Sequence, residues 1–173
     1  MHKTFESKAE TQAYKHLQNK HIVLVVANWN AEITHAMRDD ALAALAAEGW
    51  PEAHIEVMYV PGSFELCLGA KWALERGKTE AVICLGLVVQ GETRHFDFIC
   101  DAVANGLTQL SIISGKPVVF GVLTTDNMEQ AKARTHGPVG KKGSEAAYTA
   151  LQMLAAKDAF HTRHSTGIGF GRP

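Results

Sequence analysis

The chain has 173 residues, of which 46% are hydrophobic and 20% charged, so it is long enough for one domain with a buried core. Its 17 Lys and Arg against 18 Asp and Glu give a net charge of -1, which excludes an overall positive field for a nucleic-acid backbone. No apolar run approaches the roughly 18 residues of a membrane span, and three cysteines without CxxC spacing suit reduced thiols. We therefore expect a cytoplasmic protein that binds neither nucleic acid nor membrane.

Continuous apolar runs alternate along the chain with stretches of helical periodicity. Four runs rich in β-branched residues predict strands at His21–Ala27, Ile55–Val60, Ala81–Val89 and Pro117–Leu123. The helical stretches are Glu32–Glu48, Ser63–Arg76, Arg94–Ser114, Asp126–Arg134 and Ser144–Lys157. This order predicts an α/β protein of the flavodoxin-like kind, a three-layer αβα sandwich around a four-stranded parallel sheet. We expect one domain at residues 21–158, an N-terminal extension at 1–20 and a flexible C-terminal tail at 159–173, with neither end in the core.

Aromatic, polar and ionisable side chains follow each predicted strand, in the segments 28–30, 61–65, 90–95 and 124–126. Ligands of such sheets bind beyond the carboxyl ends of the strands, so any chemistry is expected at this rim. Gly91-Glu92-Thr93 leads into a helix, whose N–H groups and dipole would suit a phosphate, although ordinary helix capping explains the same residues.

Four further residues near this rim each have a functional and a structural interpretation. His95 begins a helix and could transfer protons near neutral pH, or it is one more surface histidine among nine. Trp29 offers a stacking surface for a flat ring, whereas Phe64 taken alone favours core packing. Arg134 could bind phosphate or offset a helix dipole. No His or Cys cluster has the spacing of a metal site.

Five segments in series, VVANWN, VPGSFELCLGAK, LVVQGETRHFDFICDAV, PVVFGVLTTDNMEQAKAR and GKKGSEAAYTAL, resemble the 6,7-dimethyl-8-ribityllumazine synthase family in order and spacing. The resemblance covers about residues 22–154. It implies a transferase that condenses 5-amino-6-(D-ribitylamino)uracil with 3,4-dihydroxy-2-butanone 4-phosphate, the penultimate step of riboflavin biosynthesis. It also implies two small-molecule substrates and no metal or organic cofactor.

The resemblance assigns roles by position. His95 matches the histidine that moves protons during Schiff-base formation and phosphate elimination. The residues matching the phosphate site are Gly91, Glu92, Thr93 and Arg134. Those matching the pyrimidine and ribityl site are Trp29, Asn30, Ser63, Phe64, Glu65, Val88, Val89, Phe120 and Lys142. Family sites lie between neighbouring subunits of a homopentamer, and Phe120, Arg134 and Lys142 match the neighbour's contribution.

Four positions depart from the family pattern. Lys141 stands where an asparagine is usual, Pro138 replaces a common lysine, Cys67 replaces a common proline, and Glu92 puts a carboxylate in the phosphate loop. We expect the Glu92 side chain to turn outward, because a carboxylate would repel phosphate. The short turn at residues 135–143 favours a closed icosahedral shell of pentamers, and riboflavin synthase is a candidate partner.

Two other functions remain open at this stage. An archaeal-type riboflavin synthase shares the fold and dismutates two lumazine molecules, but it has no need of Thr93 and Arg134 as a phosphate pair. A noncatalytic flavin- or lumazine-binding shell protein would have lost the reaction, and the presence of His95, Arg134 and Lys142 argues against that loss.

Overall fold

The structure, a computed structural model, describes residues 14–135 and 140–165. Four parallel strands form one sheet in the order β2-β1-β3-β4. They are β1 (His21–Ala27), β2 (Ile55–Val60), β3 (Thr79–Val89) and β4 (Val118–Thr125). The helices are α1 (Ala31–Ala47), α2 (Leu66–Glu75), α3 (His95–Ser114), α4 (Met128–Ala133) and α5 (Lys142–Ser165), with single 3-10 turns at Lys15–Leu17 and Glu52–His54. The predicted α/β, flavodoxin-like fold is confirmed.

The sheet is covered on both faces because its strands carry apolar side chains on both sides. Alternate side chains of a strand point to opposite faces. Ile22 and Leu24 of β1 accordingly pack in a core with α1 and α5. Val23 and Val25 pack in a second core with α2 and α3. Cys84 belongs to that second core, and burial raises the pKa of its thiol, so it packs as a small apolar side chain.

The boundaries of several elements differ from those expected. Helix α2 begins at Leu66 rather than Ser63, because residues 63–65 form a turn at the end of the sheet. Strand β4 extends through Thr125, whose carbonyl accepts a hydrogen bond from Gln90 N at 2.8 Å. Helix α5 continues through Ser165, beyond its expected end at Lys157. Pro138 and the rest of residues 136–139 lie outside the described residues.

The expectation that residues 1–20 have no place in the core is wrong for Tyr14 and Leu17, which are buried against the α1 and α5 side of the sheet. Three hydrogen bonds hold this segment in place. Gln18 Nε2 donates to Glu48 O at 2.9 Å, Gln18 O lies 2.6 Å from His54 Nδ1, and Trp50 Nε1 donates to Lys20 O at 3.1 Å. The domain boundaries at residues 20 and 158 stay predictions. In the described ranges, no helix is both long enough and apolar enough to span a bilayer.

Candidate functional site

The carboxyl ends of β1 and β2 carry an outward-facing aromatic platform. Beyond the last residue of β1, Asn28 N donates to Val60 O at 2.8 Å and Trp29 N donates to Pro61 O at 2.9 Å. The indole of Trp29 lies against Gly62, where an added Cβ would be 2.5 Å from Trp29 Cε3. Trp29 is nevertheless 69% exposed. Its free face is therefore available for a flat ligand ring.

Two neighbouring residues fix the shape of this platform. Asn30 adopts φ 60°, in the left-handed region that asparagine tolerates, and so turns the chain into α1, where its carbonyl accepts from Ile33 N at 2.9 Å. The carboxylate of Glu65 accepts a hydrogen bond from Gly62 N at 3.0 Å, which closes the turn before α2. A carboxylate is therefore held directly beside the indole.

Ser63 and Phe64 are consecutive residues, but the Ser63 side chain is buried and the Phe64 side chain is exposed. The buried Ser63 hydroxyl donates to Leu87 O at 3.1 Å, above Gly86, where a Cβ would lie 2.6 Å from Ser63 Oγ. Ser63 thus joins the turn before α2 to β3, and its single O–H donor is already used, which leaves only the oxygen lone pairs for a ligand. Phe64 is 54% exposed, so the expectation of core packing from its sequence context alone is wrong.

The loop between β3 and α3 lies open at the same rim. Val88 and Val89 are half-buried at the end of β3, and Gly91, Glu92, Thr93 and His95 are all exposed. Helix α3 begins at His95, whose N–H donates to Thr93 Oγ1 at 3.3 Å. Gly91 has no atom within 4 Å of an added Cβ. The helix N-terminus is consequently accessible to an anion, and Arg94, the residue before the helix, makes no side-chain capping bond there.

Phe120, Arg134 and Lys142 lie together elsewhere, in a cleft of about 580 Å³ along β4. In the described sheet β4 pairs only with β3, so this cleft follows an open strand edge. Arg134 Nη1 donates to Gln130 O at 2.8 Å, close to the end of α4, and Lys142 Nζ donates to Glu145 Oε2 at 2.7 Å. A guanidinium carries five N–H donors, so the bond to Gln130 leaves donors for a ligand.

Sequence reasoning overlooked three polar residues of the cleft, namely Ser111, Glu145 and Thr149, whereas Thr124 belongs to the rim segment expected after the fourth strand. Only Glu145 had a usable signal, since it follows Lys142 by three residues on a helix and so can pair with it. Of the residues that the resemblance assigned, none from the rim after β1, β2 and β3 lines the cleft in the described part of the chain. The rim and the cleft of one chain therefore have separate linings, and we call them the two candidate half-sites.

Among residues 14–135 and 140–165, no group of three or more His, Cys, Asp or Glu side chains could hold a metal ion. The chemistry that the two half-sites offer is stacking on Trp29, anion binding at the start of α3 and at Arg134, and proton transfer at His95.

The family described as 6,7-dimethyl-8-ribityllumazine synthase matches residues 19–158. A relative from Cytophaga hutchinsonii is 56% identical over 132 residues, which are 76% of this chain and 83% of the relative. One from Bacteroides fragilis is 44% identical over 131 residues, 76% of this chain and 92% of the relative. One from Thermus thermophilus is 41% identical over 138 residues, 80% of this chain and 88% of the relative. All three are named 6,7-dimethyl-8-ribityllumazine synthase.

Proposed function

Since the chain belongs to the 6,7-dimethyl-8-ribityllumazine synthase family and is a transferase of riboflavin biosynthesis, we propose that its two half-sites combine between subunits to form the active site. There 5-amino-6-(D-ribitylamino)uracil condenses with 3,4-dihydroxy-2-butanone 4-phosphate, and the products are 6,7-dimethyl-8-ribityllumazine, phosphate and water. The observation that supports a shared site is that the cleft with Phe120, Arg134 and Lys142 is lined by none of the rim residues assigned after β1, β2 and β3.

The rim binds the pyrimidine substrate. Its ring stacks on the free face of Trp29, and the turn at Asn30 and residues 63–65 borders the ribityl chain. Backbone groups of Val88 and Val89 at the end of β3 meet the ring edge, while Phe120 and Lys142 of a neighbouring subunit close the site from the other side. These contacts hold the amine of the pyrimidine against the carbonyl of the second substrate.

The phosphate of the second substrate binds at the start of α3, where the N–H groups of Gly91, Glu92 and Thr93 and the helix dipole attract an anion. Arg134 from the neighbouring subunit adds a charged donor. Glu92 contributes only its backbone, because its carboxylate would repel the phosphate. Phosphate loss from the bound intermediate is then assisted by fixed positive groups.

His95 transfers the protons that the reaction requires. The amine loses protons as it forms the Schiff base, and phosphate elimination removes a proton from carbon. The ribityl-bearing nitrogen then closes the ring on the remaining carbonyl, and each of the two condensations needs a proton for its departing water. A rim histidine can supply roughly 10²- to 10⁴-fold for such steps. Holding two small molecules in the reacting geometry can supply about 7–11 kcal/mol, so orientation contributes the larger share.

A shared site requires an oligomer, and we propose a homopentamer in the cytoplasm. The short turn after α4 favours the further assembly of pentamers into an icosahedral shell, with riboflavin synthase as a candidate partner. An archaeal-type riboflavin synthase is not favoured, and a noncatalytic binding protein would not form product.

The decisive experiment incubates the purified protein with both substrates and follows the fluorescence of the lumazine together with phosphate release. Controls omit one substrate at a time, and a separate incubation supplies 6,7-dimethyl-8-ribityllumazine alone. Product formation that needs both substrates supports the proposal. Consumption of lumazine alone would indicate a riboflavin synthase, and ligand binding without turnover would indicate a carrier.

A further inference from the structure

In the described part of the chain, the residue before α5 offers no capping side chain for its first turn. The residue directly before the helix is Lys141, and Glu145 N donates to its carbonyl at 3.1 Å as the first helical hydrogen bond. An ammonium group has no acceptor, so the Lys141 side chain cannot bind the free N–H groups that begin every helix. Those N–H groups need another partner.

Asp40 of α1, which precedes Ser144 by 104 residues in the sequence, supplies that partner. Its Oδ2 accepts a hydrogen bond from Ser144 N at 2.8 Å, and its backbone carbonyl accepts from Ser144 Oγ at 3.3 Å. Ser144 is the third residue of α5, the position whose N–H a capping side chain normally binds. Lys141 Nζ lies 3.7 Å from Asp40 Oδ1, and the Asp40 side chain is only 14% exposed.

Close backbone packing at Gly143 also prevents α5 from shifting towards α1. At Gly143, an added Cβ would lie 2.1 Å from Met37 O, so the two helices touch through their backbones. On its other side, Lys142 N donates to Arg134 O at 3.1 Å. The position of Lys142 is therefore fixed between Arg134 and the Asp40–Ser144 bond.

We propose that Asp40 is a positioning residue: its carboxylate caps α5 and thereby holds Lys142 and Arg134 in place for substrate binding. Asp40 does not line the cleft that contains both cations, so it acts through the start of α5. This inference rests on the proposed function, because the cap is expected to change the affinity for the substrates of that reaction.

The test compares Asp40→Ala with Asp40→Asn, whose amide oxygen can still accept from Ser144 N. Asp39→Asn is the matched control, since its exposed carboxylate pairs with Arg38 Nε at 2.8 Å and contacts no part of α5 described here. We expect Asp40→Ala to raise KM for both substrates by about 5- to 30-fold, the factor that corresponds to the usual worth of a capping bond. Asp40→Asn restores most of the wild-type KM.

Measuring KM and kcat separately distinguishes a positioning role of Asp40 from an effect on the free energy of unfolding alone. A role in stability alone would lower the folded fraction and hence the apparent kcat, leaving KM unchanged. Hydrogen exchange at residues 142–146 provides a readout independent of activity, and we expect it to accelerate in Asp40→Ala and not in Asp39→Asn. Unchanged exchange, or an unchanged KM, would overturn the proposal.

Should Asp40→Ala fail to fold, Asp40→Leu removes the same acceptor with a good helix former of similar length. It should raise KM as Asp40→Ala would, and a wild-type KM in this variant would again refute the role of Asp40. A wild-type protein without activity overturns the proposed function instead, so the two failures are distinguishable.

Discussion

The contact between Gly62 and Trp29 predicts that Gly62→Ala weakens binding of the pyrimidine substrate. The new Cβ would lie 2.5 Å from Trp29 Cε3 and 3.2 Å from Glu65 Oε2, so both side chains must move. Because the indole is exposed on its other face, it can rotate away, and the free energy of unfolding should change by less than about 1 kcal/mol. The displaced ring no longer presents its face in the same place.

The magnitude follows from the value of an aromatic stack. Such a pair contributes about 0.5–1.5 kcal/mol beyond buried area, so losing it should raise Kd by about 2- to 12-fold. Calorimetric titration of the wild type and Gly62→Ala with the pyrimidine substrate measures this change, and denaturant unfolding checks the stability.

A double-mutant cycle tests whether Gly62 acts through Trp29. In a Trp29→Ala background there is no indole to displace, so adding Gly62→Ala should change the binding free energy by no more than about 0.5 kcal/mol. An equal loss of affinity in both backgrounds, or no loss in the single variant, would refute the reasoning.

Three further predictions concern the reaction and the assembly. His95→Ala should lower kcat by about 10- to 10³-fold with little change in KM, since only proton transfer is lost, and an unaltered kcat would contradict the acid–base role. Arg134→Ala should weaken binding of inorganic phosphate by about 1.5–3 kcal/mol in a calorimetric titration, and unchanged affinity would remove Arg134 from the site. Sedimentation in low and high phosphate should show a pentamer or larger assembly. A fully active monomer or dimer would contradict the shared site, whereas a lone pentamer would contradict only the shell.

The fold was largely predictable because the strands carry their signal locally. His21–Ala27 and Ile55–Val60 match β1 and β2 at both ends, since each is a short, mainly apolar run rich in β-branched residues. The start of α2 was less predictable, because residues 63–65 have helix-compatible side chains. Ser63 instead bonds to Leu87 O and Glu65 to Gly62 N, and these bonds depend on the tertiary arrangement.

The candidate site, like the fold, could be predicted from the sequence only in part. The rim residues could be placed together from sequence, because the carboxyl ends of parallel strands meet at one edge. The burial of Leu17 could not be foreseen, since a single turn has no periodicity to detect. Nor could the bond between Asp40 and Ser144, which joins residues 104 positions apart and is set only by the packing of α1 on α5.

The two backbone hydrogen bonds beyond the end of β1 also bear on conformational entropy. The bonds from Asn28 N to the last residue of β2 and from Trp29 N to the loop after β2 hold the main chain of Trp29 before any ligand arrives. Ordering the backbone of one residue costs about 1–2 kcal/mol, and a ligand that had to order this loop would lose that much affinity for each residue fixed. Here the loop is preorganised, and only the two side-chain torsions of tryptophan are left to restrict. Affinity for a flat ring at this end of the sheet is therefore set by how well the ring stacks, and loop closure contributes little to it.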